Sequence, residues 1–502
     1  MTSFFAIVKL TCRSAVRSHV FRTLTFLLLL SVLLIPNTIK GDGTAMGFIQ
    51  LILEYSLGFA AALLCISAAW VACSEIATDI ETGQLHLLAV KPVSRFRILL
   101  GKVVGVLVIH GILLLLAAAV VYAFVIYQYA RQDFPADEKQ RVENEVFCGR
   151  RLYAPKKPDF DALAVEELNR RLSRAREDEK RQLAEKTMGE ERRSTLEALK
   201  KEIRVSMCEV APGDVIFWEY EGIPDDCVQP FFLRFKVFPG DSSSQNQNTS
   251  YGSWLLRFMA VKEEGDPAQG KEPEYTEQAL SFPPEELITA AQSEFCIQET
   301  VLRINGAPDS VRSNIPEDMM KNLTSPLIYK NTVKIGFCNF DRAGKKLIFQ
   351  EPDGPFLLVR ETGFLNNYLR TVLVIFLGIA AVTLVAAGLA AYFTLPTAIF
   401  MSVSYGVLCL ASNYMFTSLQ SVEGTPLDFG EKVGKYLSQA LMALLIPVQD
   451  FFLTTQLSTG QLIEFSAVGH LILYHLIFRG LPVFLLGAFL YYRRELALAM
   501  KR

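Results

Sequence analysis

Three carboxylates, Glu75, Asp79 and Glu81, fall within two helical turns of each other in SEIATDIETGQLHLLAVKPVSRFRILLGK (74–102), and Gly83, Lys91, Pro92 and Arg95 follow them. Glu75 and Asp79 are four residues apart, so a helix places them on one face, beside a narrow apolar edge made by Ile76 and Ile80. Gly83 ends that helix, Pro92 separates it from the next, and Ser94 is placed to cap a new helix running through Arg95, Arg97 and Lys102. The five histidines are scattered, at 19, 86, 110, 470 and 475, so no metal cluster is expected. The stretch therefore reads as a charged contact surface rather than as a reaction centre.

Other side chains capable of chemistry sit inside apolar runs. His110 lies in one such run, and His475 and Arg479, one helical turn apart, lie in another. Ionisable groups in such places face cavities or partner helices and can form a polar path. The plainer reading makes His110 a hydrogen-bonded packing residue and lets Arg479 reach a carbonyl or a headgroup. Familiar catalytic signatures are missing: there is no G-x-x-x-x-G-K-[ST] loop, no H-E-x-x-H, no C-x-x-C and no G-x-S-x-G. Gly430-Glu-Lys-Val-Gly434-Lys435-Tyr436 has the wrong spacing and lacks the hydroxyl that would hold Mg²⁺. The expectation is a chain that is not itself an enzyme, hydrolyses no ATP and holds no metal or cofactor.

The elements that position these residues are set by hydropathy. Of 502 residues 51% are hydrophobic and 20% charged, with a formal charge of −2, which points to no nucleic-acid partner. The apolar residues concentrate in blocks at the two ends. A helix crossing a hydrocarbon layer of about 30 Å needs roughly 20 such residues. Six blocks qualify: Thr23 to Ile39, Tyr55 to Cys73, Val103 to Tyr127, Thr371 to Phe393, Pro396 to Phe416 and His470 to Tyr492. Basic residues cluster before the first block (Lys9, Arg13, Arg17, Arg22), between the second and third (Lys91, Arg95, Arg97, Lys102) and at the end (Arg493, Arg494, Lys501, Arg502). By the positive-inside rule both termini and the 74–102 stretch are cytoplasmic, in a multi-pass protein of the cytoplasmic membrane. A rival reading, a cleaved signal peptide over residues 1–39, lacks a small-x-small cleavage site. Residues 1–22, where Phe4, Phe5, Ile7, Val8 and Leu10 interleave with basic residues, suit an amphipathic helix on the inner surface.

Between the third and fourth blocks lies an extracytoplasmic insert, 131–366. Residues 131–205 are helical and charged, with Leu168, Leu172, Leu196, Leu199 and Ile203 at helical spacing and a break at Met188-Gly189. Two amphipathic helices folding together is the reading preferred to a partner-binding coiled coil. Residues 206–366 change to a period of two in VIFWEY (215–220), FFLRFKVF (231–238), SWLLRF (253–258), VLRI (301–304), TVKIGF (332–337), KLIF (346–349) and FLLV (356–359). Leu233, Phe235 and Val237 alternate with Arg234 and Lys236, so one face is buried and the other wet. The expected fold is a β-sandwich. Cys148, Cys208, Cys227, Cys296 and Cys338 fall in the insert, as disulfides or as buried thiols, and Asn248 and Asn322 head glycosylation sequons.

Glu75-Ile76, Glu81-x-Gly83-x-Leu85, Leu88, Lys91-Pro92-x-Ser94-Arg95 and Leu99-x-Gly101-Lys102, placed after the second of six spans, resemble the cytoplasmic coupling segment of type-2 ABC exporter permeases. Arg17-Ser18-x-x-Phe21, Ile446-Pro447 followed by Phe451, and Tyr492-Arg493-Arg494-Glu495-Leu496 extend the resemblance over about 1–130 and 367–502. It implies a membrane α-helical fold, spans one to three in 23–130 and four to six in 367–502, and a coupling segment at 74–97 gripped by a separate ATPase subunit. It implies a second permease half, as a homo- or heterodimer in the lipid bilayer, and a re-entrant segment at 437–452 broken by Pro447. On this reading the chain is a transport subunit. The alternative is a membrane-anchored extracytoplasmic binding or assembly protein in which the spans only hold the insert.

Overall fold

The computed structural model describes residues 2–38, 41, 43–82, 94–174, 190–225, 227, 230–240, 249–263, 274–297, 327–341, 344–421 and 429–493. Gly83, Lys91, Pro92, the Met188-Gly189 break, VLRI (301–304) and both sequon asparagines, Asn248 and Asn322, lie outside the described residues. The chain divides into two compact units, Met1–Gly149 with Glu361–Arg502, and Arg150–Arg360.

In chain order the first unit begins with α1 (Thr2–Arg17), α2 (His19–Thr38), α3 (Ala45–Glu81), α4 (Arg95–Arg131) and α5 (Ala136–Arg141). There follow β1 (Cys148–Tyr153), α6 (Phe160–Arg174), α7 (Glu190–Cys208), β2 (Glu209–Val210), β3 (Val215–Glu221), β4 (Phe231–Pro239), β5 (Thr249–Glu263) and β6 (Glu274–Ser281). The strands end with β7 (Glu285–Ile288), β8 (Gln292–Cys296), β9 (Thr332–Asn339), β10 (Leu347–Phe349) and β11 (Phe356–Gly363). The chain closes with α8 (Phe364–Ala390), α9 (Leu395–Ser421), α10 (Phe429–Leu444), α11 (Thr454–Ser458) and α12 (Phe465–Arg493), whose Leu471–Gly480 part is wound as a π-helix.

Seven described segments are long and apolar enough to cross a membrane, one more than the six expected. The additional one is Phe429–Ser458, and it is not a continuous helix: α10 ends at Leu444, three residues before Pro447, and only a 3-10 turn (Val448–Phe451) and α11 follow. Proline supplies no N–H and fixes φ, so the helix cannot run through it. Helices α3 and α4 have 37 residues each, about 55 Å at 1.5 Å per residue. Both are longer than a hydrocarbon layer of about 30 Å is thick.

Small residues set the closest approaches in this unit. A Cβ on Gly101 would lie 2.9 Å from Ile7 and one on Gly105 2.7 Å from Thr11, so α1 packs along α4 and buries Ile7, Thr11 and Ala15 there. A Cβ on Gly487 would stand 2.2 Å from the Gly388 carbonyl oxygen, which is how α12 seats on α8. Tyr368 of α8 donates its hydroxyl to the Ala118 carbonyl of α4 at 2.6 Å. Residues 131–149, expected in the insert, belong here instead: Val142 and Val146 are fully buried in the core that α3 and α4 build.

The second unit holds two antiparallel sheets, one ordered β1-β11-β4-β10-β2 with β8 also on β4, the other β3-β9-β5-β6 with β7 also on β5. They enclose one core. Phe231, Leu233, Phe235 and Val237 of β4 meet Trp254 and Leu256 of β5 and Val333, Ile335 and Phe337 of β9. Trp254 is the centre, with the Phe235 ring at 4.7 Å and the Phe337 ring at 5.0 Å, an arrangement that adds to the roughly 1.5–3 kcal/mol of burying each large apolar side chain. Burial pushes the Tyr220 hydroxyl well above the ordinary tyrosine range, and it donates to the Pro355 carbonyl at 3.0 Å.

One expectation for this unit is corrected. Arg234 is not wet but 8% exposed, because β8 lies beside β4 and sets Glu294 directly opposite it, 3.2 Å away, with Arg150 on the same carboxylate at 2.9 Å. Helices α6 and α7 pack through Ala164, Leu168 and Leu199. No disulfide joins the nine cysteines, all of which lie among the described residues.

The α8–α12 seat yields a direct test. Gly487→Leu should lower the thermal unfolding midpoint of the detergent-solubilised chain by several degrees, consistent with an overpacking cost of about 1–3 kcal/mol. Gly469→Leu should leave it unchanged or raise it slightly, since a Cβ there meets nothing within 4 Å and leucine favours the helix.

Candidate functional site

Helix α3 starts from Thr44, whose hydroxyl accepts from the Gly47 N–H at 3.1 Å, and closes with Thr82 donating to the Thr78 carbonyl at 2.7 Å. Helix α4 starts from Ser94, which accepts from the Arg97 N–H at 3.4 Å, at the position where the sequence places a cap. Between the two ends, Lys102 of α4 reaches across to α3. Its ammonium pairs with the Asp79 carboxylate and donates to the Glu75 carbonyl oxygen. Lys102 is 6% exposed. Removing either member of a buried pair leaves the other uncompensated, a loss of about 3–5 kcal/mol.

Glu81 and Arg95 turn to other helices. The Glu81 carboxylate accepts from the Leu395 N–H at 2.9 Å, so an acid on α3 occupies the N-terminus of α9, where unpaired N–H groups and the helix dipole favour negative charge. The Arg95 guanidinium donates to the Tyr492 carbonyl at 2.9 Å and stands 6.0 Å from that residue's ring, the matching arrangement of a cation on the last turn of α12. Four of the seven expected coupling residues are thus described. Glu75 and Asp79 gather on Lys102, while Glu81 and Arg95 bracket residues 83–93 and tie the two ends to α9 and α12. Lys102 is not among those seven; the sequence places it in a basic flank and in Leu99-x-Gly101-Lys102, and the signal for its pairing was a lone lysine among Ile98, Leu99 and Val103.

The intramembrane candidates do not form one group. His110 is fully buried; its Nδ1 lies 2.8 Å from the Val106 carbonyl and its Nε2 3.1 Å from the Ser67 hydroxyl. A carbonyl only accepts, so Nδ1 donates to Val106, and both ring nitrogens have a partner. His475 and Arg479 serve a different place, the broken backbone after α10. Arg479 donates to the Leu445 carbonyl at 2.7 Å, and the Tyr405 hydroxyl of α9 donates to the Leu444 carbonyl at 3.0 Å while accepting from the Ile446 N–H at 3.2 Å. His475 Nε2 is 3.0 Å from the Asp450 carboxylate in the turn that follows. Beyond α11 a second non-helical piece is held likewise: Asn367 of α8 donates to the Gln461 carbonyl at 2.9 Å and accepts from the Ile463 N–H at 3.0 Å.

Among the described residues no group of three or more His, Cys, Asp or Glu side chains is placed to hold a metal. The chemistry present is the fastening of helix ends and of broken backbone. Arg479→Leu should therefore cost about 1–3 kcal/mol, the price of an unpaired buried carbonyl, read as a lower unfolding midpoint in detergent; Arg479→Lys should recover part of it.

Comparison with known proteins adds the family. Neither curated proteins nor solved structures gave a match. A family model described as ABC-2 family transporter protein matches residues 5–139, the stretch that holds α1 to α4, the Lys102 pair, Glu81 and Arg95. Over residues 5–139 this membrane chain is similar to the ABC-2 family transporter proteins.

Proposed function

We propose that the chain is the permease subunit of an ATP-driven exporter, worked by a separate ATPase subunit that docks on the cytoplasmic side at residues 74–97. The observation that carries this reading is the pair of ties around that segment, Glu81 to the start of α9 and Arg95 to the end of α12. An ATPase that grips residues 83–93 pulls on both ties at once. With Lys102 locking α3 to α4, the two long helices move as one lever instead of sliding past each other. In this role Asp79 serves the lever and not the docking face, because Lys102 already engages it.

Six crossings place both termini in the cytoplasm and the insert outside, with α10 and the turn around Pro447 (437–452) dipping into the outer leaflet and returning. The bilayer has no water to satisfy the open carbonyls of Leu444 and Leu445, and Tyr405 and Arg479 supply the bonds it cannot. A second permease half completes the pathway. The insert receives, binds or hands on the substrate.

Two experiments test the proposal. Gly83→Pro should abolish co-purification with the ATPase, whereas Glu81→Gln should keep it and lose most of the nucleotide-driven distance change between spin labels on α9 and α12; full co-purification and full motion in both would leave only the anchoring role. Reporter fusions after Tyr129 and near Thr362 should be active outside, and fusions near Val90 and at the C-terminus inside. A cytoplasmic insert overturns the topology.

A further inference from the structure

Among the described residues strand β3 is the edge of its sheet, paired with β9 on one side. Its open side can be assigned residue by residue. The Asn339 N–H of β9 donates to the Asp214 carbonyl at 3.2 Å, so Asp214 faces β9, and the antiparallel alternation turns the backbone groups of residues 215, 217 and 219 the other way. A second bond agrees: the Glu219 carbonyl accepts from the Lys156 N–H at 2.7 Å, from outside the sheet. Lys156 begins a new strand position beside β3 and cannot continue it. It stands between Pro155 and Pro158, which have no N–H to give, and Asp159 then caps α6 by accepting from the N–H groups of Asp161 and Ala162 at 3.1 Å.

The position facing Val215 and Phe217 is left open. Among the described residues no backbone group pairs with either, and a cleft of about 920 Å³ lies along them, walled on the far side by Phe160, Arg204 and Met207. Val215 is 46% exposed, Phe217 38% and Met207 42%. Edge backbone of this kind is satisfied by another extended chain, whose N–H and C=O groups repeat at the same spacing. Charge narrows the occupant. Lys156 and Lys157 are taken by Glu221 and Glu351, and Glu209 holds Lys346. Asp214 and Glu219, which form no salt bridge among the described residues, flank the open stretch, while the nearby guanidiniums are engaged on rings, Arg204 on Phe160 at 5.1 Å and Arg257 on Phe217 at 3.8 Å.

The geometry points to a peptide-binding groove at β3, in which an extended segment of a partner protein adds as a strand, with apolar residues at alternate positions and basic residues at its ends. The main-chain bonds to Val215 and Phe217 give affinity, and the cleft reads the side chains.

The test uses the full chain in lipid nanodiscs and the synthetic peptide acetyl-Lys-Val-Thr-Val-Thr-Val-Lys-amide, with amide hydrogen exchange over residues 215–220 and fluorescence anisotropy as readouts. Saturable binding that slows this exchange ~10-fold or more, absent with a backbone N-methylated copy of the peptide and lost in Phe217→Pro, is the expected result. Asp214→Lys, which alters no described side-chain contact, should weaken the basic-ended peptide ~10-fold and favour one ended by glutamates. Equal protection by the N-methylated copy, protection by anionic lipid vesicles instead, protection that tracks protein concentration without peptide (a second copy in the groove), or no protection would each overturn the proposal.

Discussion

A backbone N–H or C=O shielded from water must find its partner in the protein, and among the described residues two non-helical pieces of the first unit are met by side chains from other helices. Tyr405 and Arg479 answer the break after α10, and Asn367 answers the loop before α12. None of these bonds is local: Tyr405 reaches a carbonyl 39 residues on, and Asn367 one 94 residues on. The helices are therefore fastened to each other by the needs of their own irregular parts. That explains polar residues where hydropathy alone would place leucine.

The same logic governs the ends of α3 and α4, with charge added. A helix N-terminus favours a carboxylate and a C-terminus a guanidinium, and Glu81 and Arg95 are spent in those two ways. Lys102 binds its two partners more deeply, where the cost of breaking the pair is largest. The seven-residue set expected to face a partner is thus divided by depth. Glu75 and Asp79 hold Lys102, and Glu81 and Arg95 connect to other helices.

In the second unit the constraint is packing. A Cβ on Gly252 would stand 2.2 Å from the Phe337 ring, and one on Gly336 2.5 Å from Phe217, so both glycines are the room that large aromatics need. The aromatic cluster around Trp254 holds the two sheets together. Among the described residues the β3 backbone at Val215 and Phe217 is left unpaired beside that cluster.

Much of this was legible in the sequence, because it is written locally. Long apolar blocks fix the helices, Pro447 fixes the break in α10, Ser94 fixes the start of α4, and the alternation in FFLRFKVF fixes β4. Strands β1, β2, β6, β7 and β8 escaped, since CGRRLY or EYTEQALS carries no clean apolar alternation and is held in place by a neighbouring strand. Arg234 was misjudged for the same reason: its period says wet, and β8, 60 residues away, brings the carboxylate that covers it. Partner choice is the part that only the tertiary structure decided. Lys102 with Asp79, Glu81 with Leu395 and Arg95 with Tyr492 are each one pairing among many that their charges permit, and the distance along the chain, up to 397 residues, leaves the selection to packing.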